Sequence, residues 1–233
     1  MKLTEATITI FKGLAKFNNH LVIKAGNVLR SVNPLKTQFV EITVEEEFPV
    51  DAAFHDLAGF LKVISLFDEP MLQWKEKSVV ISDGRSSQEY FYADTEDLIY
   101  PQKELKLPPE FEHTISFTNE VFAKTLKAAG MNKVEDIAFV GEAGAVSIRA
   151  LNKENPKRVY EIKLQTPEGD PVTCESDFTV YLRQPIKGDK INILPLDYEM
   201  KISEHGIICL TAKIEDVSVM YALAIEADST FSE

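Results

Sequence analysis

Lysines recur at helical spacing in segments whose other positions are largely apolar. Lys12 and Lys16 lie four residues apart, and Lys124 and Lys127 lie three apart, so each pair would share one face of a helix. Lysine ammonium groups are mobile point charges that contact phosphate without requiring one register. These faces would suit contact with a polyanion, although solvated helix faces often carry lysine for no further reason.

The net charge makes this pattern informative. The 233 residues contain 25 basic and 37 acidic side chains, giving a net charge of −12, which repels nucleic acid and other polyanions over most of the surface. Four helical segments, residues 4–17, 55–67, 118–133 and 181–190, run against this trend. Together they contain nine basic and four acidic residues, a net charge of +5 that leaves −17 for the remainder. The nine basic residues are Lys12, Lys16, Lys62, Lys124, Lys127, Lys133, Arg183, Lys187 and Lys190.

Motifs of catalytic and cofactor chemistry are absent from the sequence. It contains no GxxxxGK[ST], GxGxxG, HExxH or GxSxG pattern, and its four histidines are isolated from one another. Cys174 and Cys209 lie outside any CxxC context, which is typical of a reducing compartment, although a disulfide between them stays open. We therefore expect no enzyme activity, no metal and no cofactor. An active site assembled from distant residues remains an alternative.

Two short segments favour structural interpretations. The acidic run Glu45–Glu47 could attract a cation, but a run at a strand end is usually a solvated face. Gly141–Gly144 (GEAG) predicts a hairpin turn and no phosphate-binding loop.

The start of the best-defined helix is encoded locally. Thr118 is a suitable N-cap for a helix over Asn119–Ala129, and Phe117 and Phe122 have the spacing of a hydrophobic staple. Gly130 occupies the position expected of a C-terminal cap.

The remaining segments predict an α+β chain made of two similar halves. Helices are expected over Thr4–Phe17 and His55–Phe67, with a short one within Tyr181–Gly188. Many short β-branched or aromatic runs separated by turns, Ile191–Leu194 among them, predict antiparallel sheet. The proline-containing stretch over residues 94–113 is typical of a connector. It would join an N-terminal domain, residues 1–93, to a C-terminal domain, residues 114–233.

Three segments, in order, resemble one known family. MKLTEATITIFKGLAKFNNHLVIKAGN at residues 1–27, DLAGFLKVISLFDE at 56–69 and YALAIEADST at 221–230 are similar to the sliding clamps of T-even-type tailed bacteriophages. The resemblance implies a homotrimeric ring in which each chain has two clamp-type domains. Antiparallel sheets would form the outer wall, and two helices from each domain would line a central hole. The nine basic residues above would then face encircled duplex DNA.

The resemblance also implies partners. They are the replicative DNA polymerase, for which the clamp is the processivity factor, an ATP-dependent clamp loader and two further copies of the chain. The expected location is the cytoplasm of the infected bacterial host, without membrane attachment. A pocket for short partner peptides near the connector and the C-terminal segment would involve Leu98, Ile99, Tyr100, Ala224 and Ile225. Residues 98–100 could instead be a connector pinned to its own sheet.

Two other functional classes stay open on the sequence alone. One is a two-domain hydrolase with a site at the junction around residues 93–113. The other is an acidic monomeric adaptor that binds proteins but no DNA.

Overall fold

Three helices lie within the residues that the computed structural model describes, namely 1–155, 157–182, 191–214 and 216–232. They are α1 (Glu5–Phe17), α2 (Leu57–Ile64) and α3 (Asn119–Asn132). The helix expected within Tyr181–Gly188 lies largely outside the described residues, and Tyr181 itself ends a strand.

The predicted start of α3 is confirmed. The Thr118 hydroxyl accepts a hydrogen bond from the Val121 amide at 3.3 Å. The rings of Phe117 and Phe122 are 5.5 Å apart between centroids, as a hydrophobic staple requires. Thr4 caps α1 in the same way through the Thr7 amide at 3.2 Å.

The predicted end of α3 is wrong by one turn. The helix continues past Gly130 to Asn132 and is terminated by Lys133, which adopts a left-handed conformation with φ of 54°. The Val134 amide donates to the Ala129 carbonyl at 3.0 Å, and the Lys133 amide donates to the Gly130 carbonyl at 3.3 Å. These two bonds form a Schellman motif, so the last carbonyls gain donors only where the chain turns at Lys133.

The strands are numerous and short, as expected for antiparallel sheet. In chain order they are β1 (Leu21–Ile23), β2 (Gly26–Val32), β3 (Gln38–Phe48), β4 (Ala52–Phe54), β5 (Met71–Trp74), β6 (Ser78–Ser82), β7 (Ser87–Phe91), β8 (His113–Phe117), β9 (Asp136–Glu142), β10 (Ala145–Leu151), β11 (Tyr160–Lys163), β12 (Phe178–Tyr181), β13 (Tyr198–Ser203), β14 (Ile207–Ile214), β15 (Val217–Ala224) and β16 (Thr230–Phe231).

The predicted hairpin at Gly141–Gly144 is confirmed. It joins β9 to β10, with Glu142 opposite Ala145. Ala143 and Gly144 both have positive φ, which the tight turn requires.

Residues Ile191–Leu194 do not form the expected strand. The Asn192 carboxamide donates to the Lys16 carbonyl at the end of α1 at 3.3 Å. Leu194 is buried against Gly13 of α1, where a Cβ would lie 2.3 Å from a Leu194 methyl carbon. Leu194 therefore serves helix packing instead of strand pairing.

The chain divides into two compact units. The first contains Met1–Leu105, Asn192–Leu194 and Lys213–Met220, and the second contains Lys106–Ile191, Pro195–Ala212 and Tyr221–Glu233.

Both units follow one plan. In the first, Met1 pairs with Leu72 of β5 through both backbone groups, α1 follows, and the sheets have the orders β4-β1-β2-β3 and β5-β6-β7. In the second, β8 pairs with β13, α3 follows, and the sheet order β12-β9-β10-β11 reproduces that of the first unit, with β16 added beside β12. The expectation of two similar α+β domains is confirmed.

Candidate nucleic-acid interface

Helix α1 presents a basic stripe to solvent. Its inner face is formed by Ile10, Phe11 and Leu14, each no more than 5 % exposed. Lys12 and Lys16 are exposed on the opposite face, one helical turn apart. The sequence-predicted stripe is therefore present.

A buried carboxylate fixes the start of α1. Glu46 of β3 is only 8 % exposed and accepts hydrogen bonds from the Thr4 amide and the Thr7 hydroxyl. Burial alone would raise the pKa of Glu46, but these hydrogen bonds outweigh it, and the pKa lies below the ordinary glutamate value. The solvated-face interpretation of Glu45–Glu47 is thus wrong at its middle residue, because strand alternation turns Glu46 inward while its two neighbours point outward.

Helix α2 contacts α1, and its position depends on the segment that ends α1. Asp56 caps α2 by accepting from the Gly59 amide at 2.8 Å, and the Asn19 carboxamide donates to the same carboxylate oxygen at 2.9 Å. The Asn19 carboxamide oxygen also accepts from the Ala58 amide at 2.8 Å. Lys62 is exposed near the C-terminal end of α2.

Helix α3 packs on β9, β10 and β11, with Phe122, Thr125 and Ala129 buried. Lys124 and Lys127 are exposed on its other side.

One basic residue at the end of α3, Arg158, was not predicted from the sequence. Lys133 is exposed at this end, and the Arg158 guanidinium donates to the Asn132 carbonyl at 3.5 Å. Arg158 belongs to the β10–β11 loop, and only this tertiary contact places its charge at the end of α3.

The helix lysines carry uncompensated charge. In the part of the chain that the structure describes, no carboxylate lies within 4.0 Å of their ammonium groups. Basic residues associated with the sheets are often neutralised: Arg149 is bound by Glu142 and Glu161, and Lys153 by three carboxylates. The lysines on the helices therefore retain an unpaired positive charge, unlike Arg149 and Lys153. We call the six described lysines on and at the ends of these helices the helix lysines: Lys12, Lys16, Lys62, Lys124, Lys127 and Lys133.

The other three basic candidates cannot be placed. Arg183, Lys187 and Lys190 lie outside the described residues.

The predicted peptide-pocket residues of the connector are pinned to the first unit. Leu98 is 7 % exposed and packs with Val22 and Ala53, and Tyr100 contacts the same cluster. Ile99 is partly exposed and is held through its backbone.

The C-terminal candidates lie elsewhere in the chain. Ala224 is the last residue of β15 and is partly buried, whereas Ile225 is 9 % exposed and bridges to Leu182. Both belong to the second unit. The five pocket residues therefore remain a prediction.

Among the described residues there is no group of three or more histidine, cysteine or acidic side chains that could hold a metal ion. None of the described helices has the length and apolarity needed to cross a membrane.

The amino-acid sequence is similar to those of known sliding clamps. A family model described as "DNA polymerase processivity factor" matches residues 2–100. The sliding clamp of Vibrio phage KVP40 is 29 % identical over 233 residues, covering 97 % of this chain and 100 % of that protein. The sliding clamp of Enterobacteria phage T4 is 26 % identical, with 99 % of each chain covered. This chain is similar to the phage sliding clamps over nearly its whole length.

Solved structures show the same fold. PCNA from Thermococcus kodakaraensis superposes with a TM-score of 0.67 at 17 % identity, covering 95 % of this chain and 96 % of that one. A. fulgidus PCNA bound to the C-terminal region of FEN-1 gives a TM-score of 0.66 at 12 % identity, covering 97 % of each chain. The antiparallel two-domain architecture of this chain is therefore the sliding-clamp fold.

Proposed function

We propose that this clamp encircles duplex DNA as a homotrimeric ring and tethers the replicative DNA polymerase during viral DNA replication in the cytoplasm of the infected bacterial host. The observation that carries the proposal is the set of exposed, unpaired lysines on the helices of a protein with a net charge of −12. Retention by encirclement needs only weak, sequence-independent attraction to phosphate, which such lysines supply.

The dimensions of a trimer suit this role. Two helices in each of six domains give twelve helices around the hole. At about 9 Å between neighbours, their axes lie on a circle about 34 Å across. Subtracting one helix diameter of about 10 Å leaves an opening of about 24 Å, which admits a B-form duplex about 20 Å wide.

The DNA-facing surface would consist of the helix lysines together with Arg183, Lys187 and Lys190. Acidic side chains elsewhere would discourage DNA from binding the outer surface. The clamp would hold no nucleotide itself, so opening of the ring would require a separate ATP-dependent loader.

Two edge strands are suited to joining neighbouring copies. Strand β7 ends one sheet of the first unit, and β11 ends one sheet of the second. Phe91 at the end of β7 is 69 % exposed, and Val159 directly before β11 is 49 % exposed. Pairing β7 of one chain with β11 of the next would satisfy both open edges and cover both apolar side chains.

Partner proteins would bind outside the ring. The proposed pocket contains Leu98, Ile99 and Tyr100 of the connector together with Ala224 and Ile225. We propose residues 1–93 and 114–233 as its two domains and 94–113 as the connector.

Sedimentation over a concentration series tests the ring. The wild type should approach three times 26.2 kDa at micromolar concentration. Phe91→Asp should shift the equilibrium towards monomer, whereas Leu66→Asp, at a residue 73 % exposed outside both edge strands, should not. A wild type that stays monomeric throughout and binds no DNA would instead indicate a protein-binding adaptor.

A further inference from the structure

The connector is fastened at one residue, Ile99, through its backbone groups. The Ile99 carbonyl accepts from the Asn18 carboxamide at 2.8 Å, and the Ile99 amide donates to Nδ1 of His20 at 3.1 Å. Both backbone groups of Ile99 are therefore occupied by side chains from the segment that directly follows α1.

Asn18 is itself fixed in place. It is 5 % exposed, its carboxamide also donates to the Val32 carbonyl at 2.9 Å, and its oxygen accepts from the His20 amide at 3.0 Å. With these bonds the carboxamide has little freedom to leave Ile99, and replacing it would leave buried polar groups unpaired.

The hydrogen bond from the Ile99 amide to His20 depends on the protonation state of the imidazole. An imidazole nitrogen accepts a hydrogen bond only while it carries no proton, so the Ile99 amide requires neutral His20 with its proton on Nε2. Protonation of Nδ1 would place two donors against each other and remove this bond.

The surroundings of His20 favour the neutral form. Burial, and then the adjacent His55 whose ring centroid is 4.7 Å away, hold the pKa of His20 below the ordinary histidine value. The other charged groups near this pair are Asp56, which lies beside His55, and Lys62, which interacts with Asp56. The Ile99–His20 hydrogen bond therefore stabilises the fold fully at pH values above the ordinary histidine pKa. This stabilisation is lost as the pH falls through the lowered pKa of His20.

We propose that Asn18 and His20 are positioning residues that fix the connector at Ile99, and that acidification releases the Ile99 amide by protonating His20. If the connector holds partner peptides, which rests on the proposed function, Ile99 offers a partner its side chain only. A partner strand could pair with the connector only beyond this residue.

Amide hydrogen exchange resolved at Ile99 tests the proposal. In the wild type, the protection factor of the Ile99 amide, corrected for intrinsic exchange, should fall about tenfold between pH 7.5 and pH 5.0, the usual effect of losing one hydrogen bond. His20→Ala should lack that protection at both pH values. His20→Gln presents an oxygen that can accept from the amide but does not titrate, so its protection should not depend on pH.

Two further histidine variants sharpen the test. His55→Gln removes one cause of the lowered pKa, so the midpoint of release should move to higher pH. His205→Gln, at an exposed histidine of the second unit, should behave as the wild type. Amides of β9 and β10 should stay protected throughout, which separates local release from unfolding.

Wild-type protection of Ile99 in His20→Ala, or an acid-induced loss that persists in His20→Gln, would overturn the proposal. The exchange measurement needs neither DNA nor a partner. A failure of the proposed function would appear as absent ring formation or DNA retention, with the exchange result unaffected.

Discussion

Neutralising four of the helix lysines should remove nearly half of the salt dependence of DNA binding. The decisive variant carries Lys12→Gln, Lys16→Gln, Lys124→Gln and Lys127→Gln, which removes four of the six helix lysines. All four side chains are exposed and have no carboxylate within 4.0 Å among the described residues, so the substitutions break no ion pair of the fold there. The fold should therefore be retained.

The magnitude follows from counterion release. If one in three of the nine DNA-facing basic residues contacts phosphate at any moment, a trimer makes about nine contacts, and log K changes with log salt concentration at a slope of about −8. Removing four of the nine leaves about five contacts and a slope of about −4.5. Between 50 and 200 mM salt, the wild type should lose about 10⁵-fold in affinity and the variant about 500-fold.

The assay is equilibrium binding to a linear duplex with free ends, onto which a ring can thread without a loader. The same duplex with blocked ends should not bind, which reports encirclement. A control variant with glutamine at Lys36, Lys77, Lys103 and Lys213 removes the same charge from exposed positions outside the helices. If the control and the helix variant show equal slopes, the assignment of the helix lysines to DNA is wrong.

Three smaller substitutions test the helix ends by thermal or denaturant unfolding. Glu46→Gln should cost about 1–3 kcal/mol at pH 7. Because the folded-state pKa of Glu46 is lowered, this difference should shrink as the pH falls through that pKa, and exposed Glu47→Gln should show no such loss. Lys133→Gly should stabilise the protein by about 1 kcal/mol because it relieves a left-handed lysine, whereas Lys127→Gly removes the same charge and should cost about 1 kcal/mol. Gly59→Ala should destabilise α2, since its Cβ would lie 2.3 Å from the N-cap carboxylate, and unchanged stability would show that the cap relaxes freely.

Local chemistry explains why parts of the fold were predictable. The start of α3 depends on Thr118, Phe117 and Phe122, all within six residues, and the structure keeps each expected contact. The exposed stripe of Lys12 and Lys16 follows from helix periodicity in the same way.

Features that depend on distant residues were not predictable from pattern. Glu46 is inward because Thr4 and Thr7, about forty residues earlier, offer it hydrogen bonds that offset burial of its charge. Leu194 lies in a segment that the sequence predicts as a strand. In the structure it packs against α1 at Gly13, where the absence of a side chain leaves room for it. Predicting that α3 ends at Lys133 would require knowing which backbone carbonyls of its last turn still lack hydrogen-bond donors.

By itself, the sequence determined the two-part α+β plan, the starts of α1 and α3, and the excess of basic residues on the helical segments of an acidic chain. Each of these depends on side-chain type and on spacing over a few residues, which the order of the amino acids states directly. Only the tertiary structure decided that Glu46 caps α1, that Arg158 reaches the end of α3, and that Asn18 and His20 hold Ile99. Those contacts join groups 26 to 81 residues apart in the chain, and their stability depends on burial and donor–acceptor geometry that exist only once the sheets have formed.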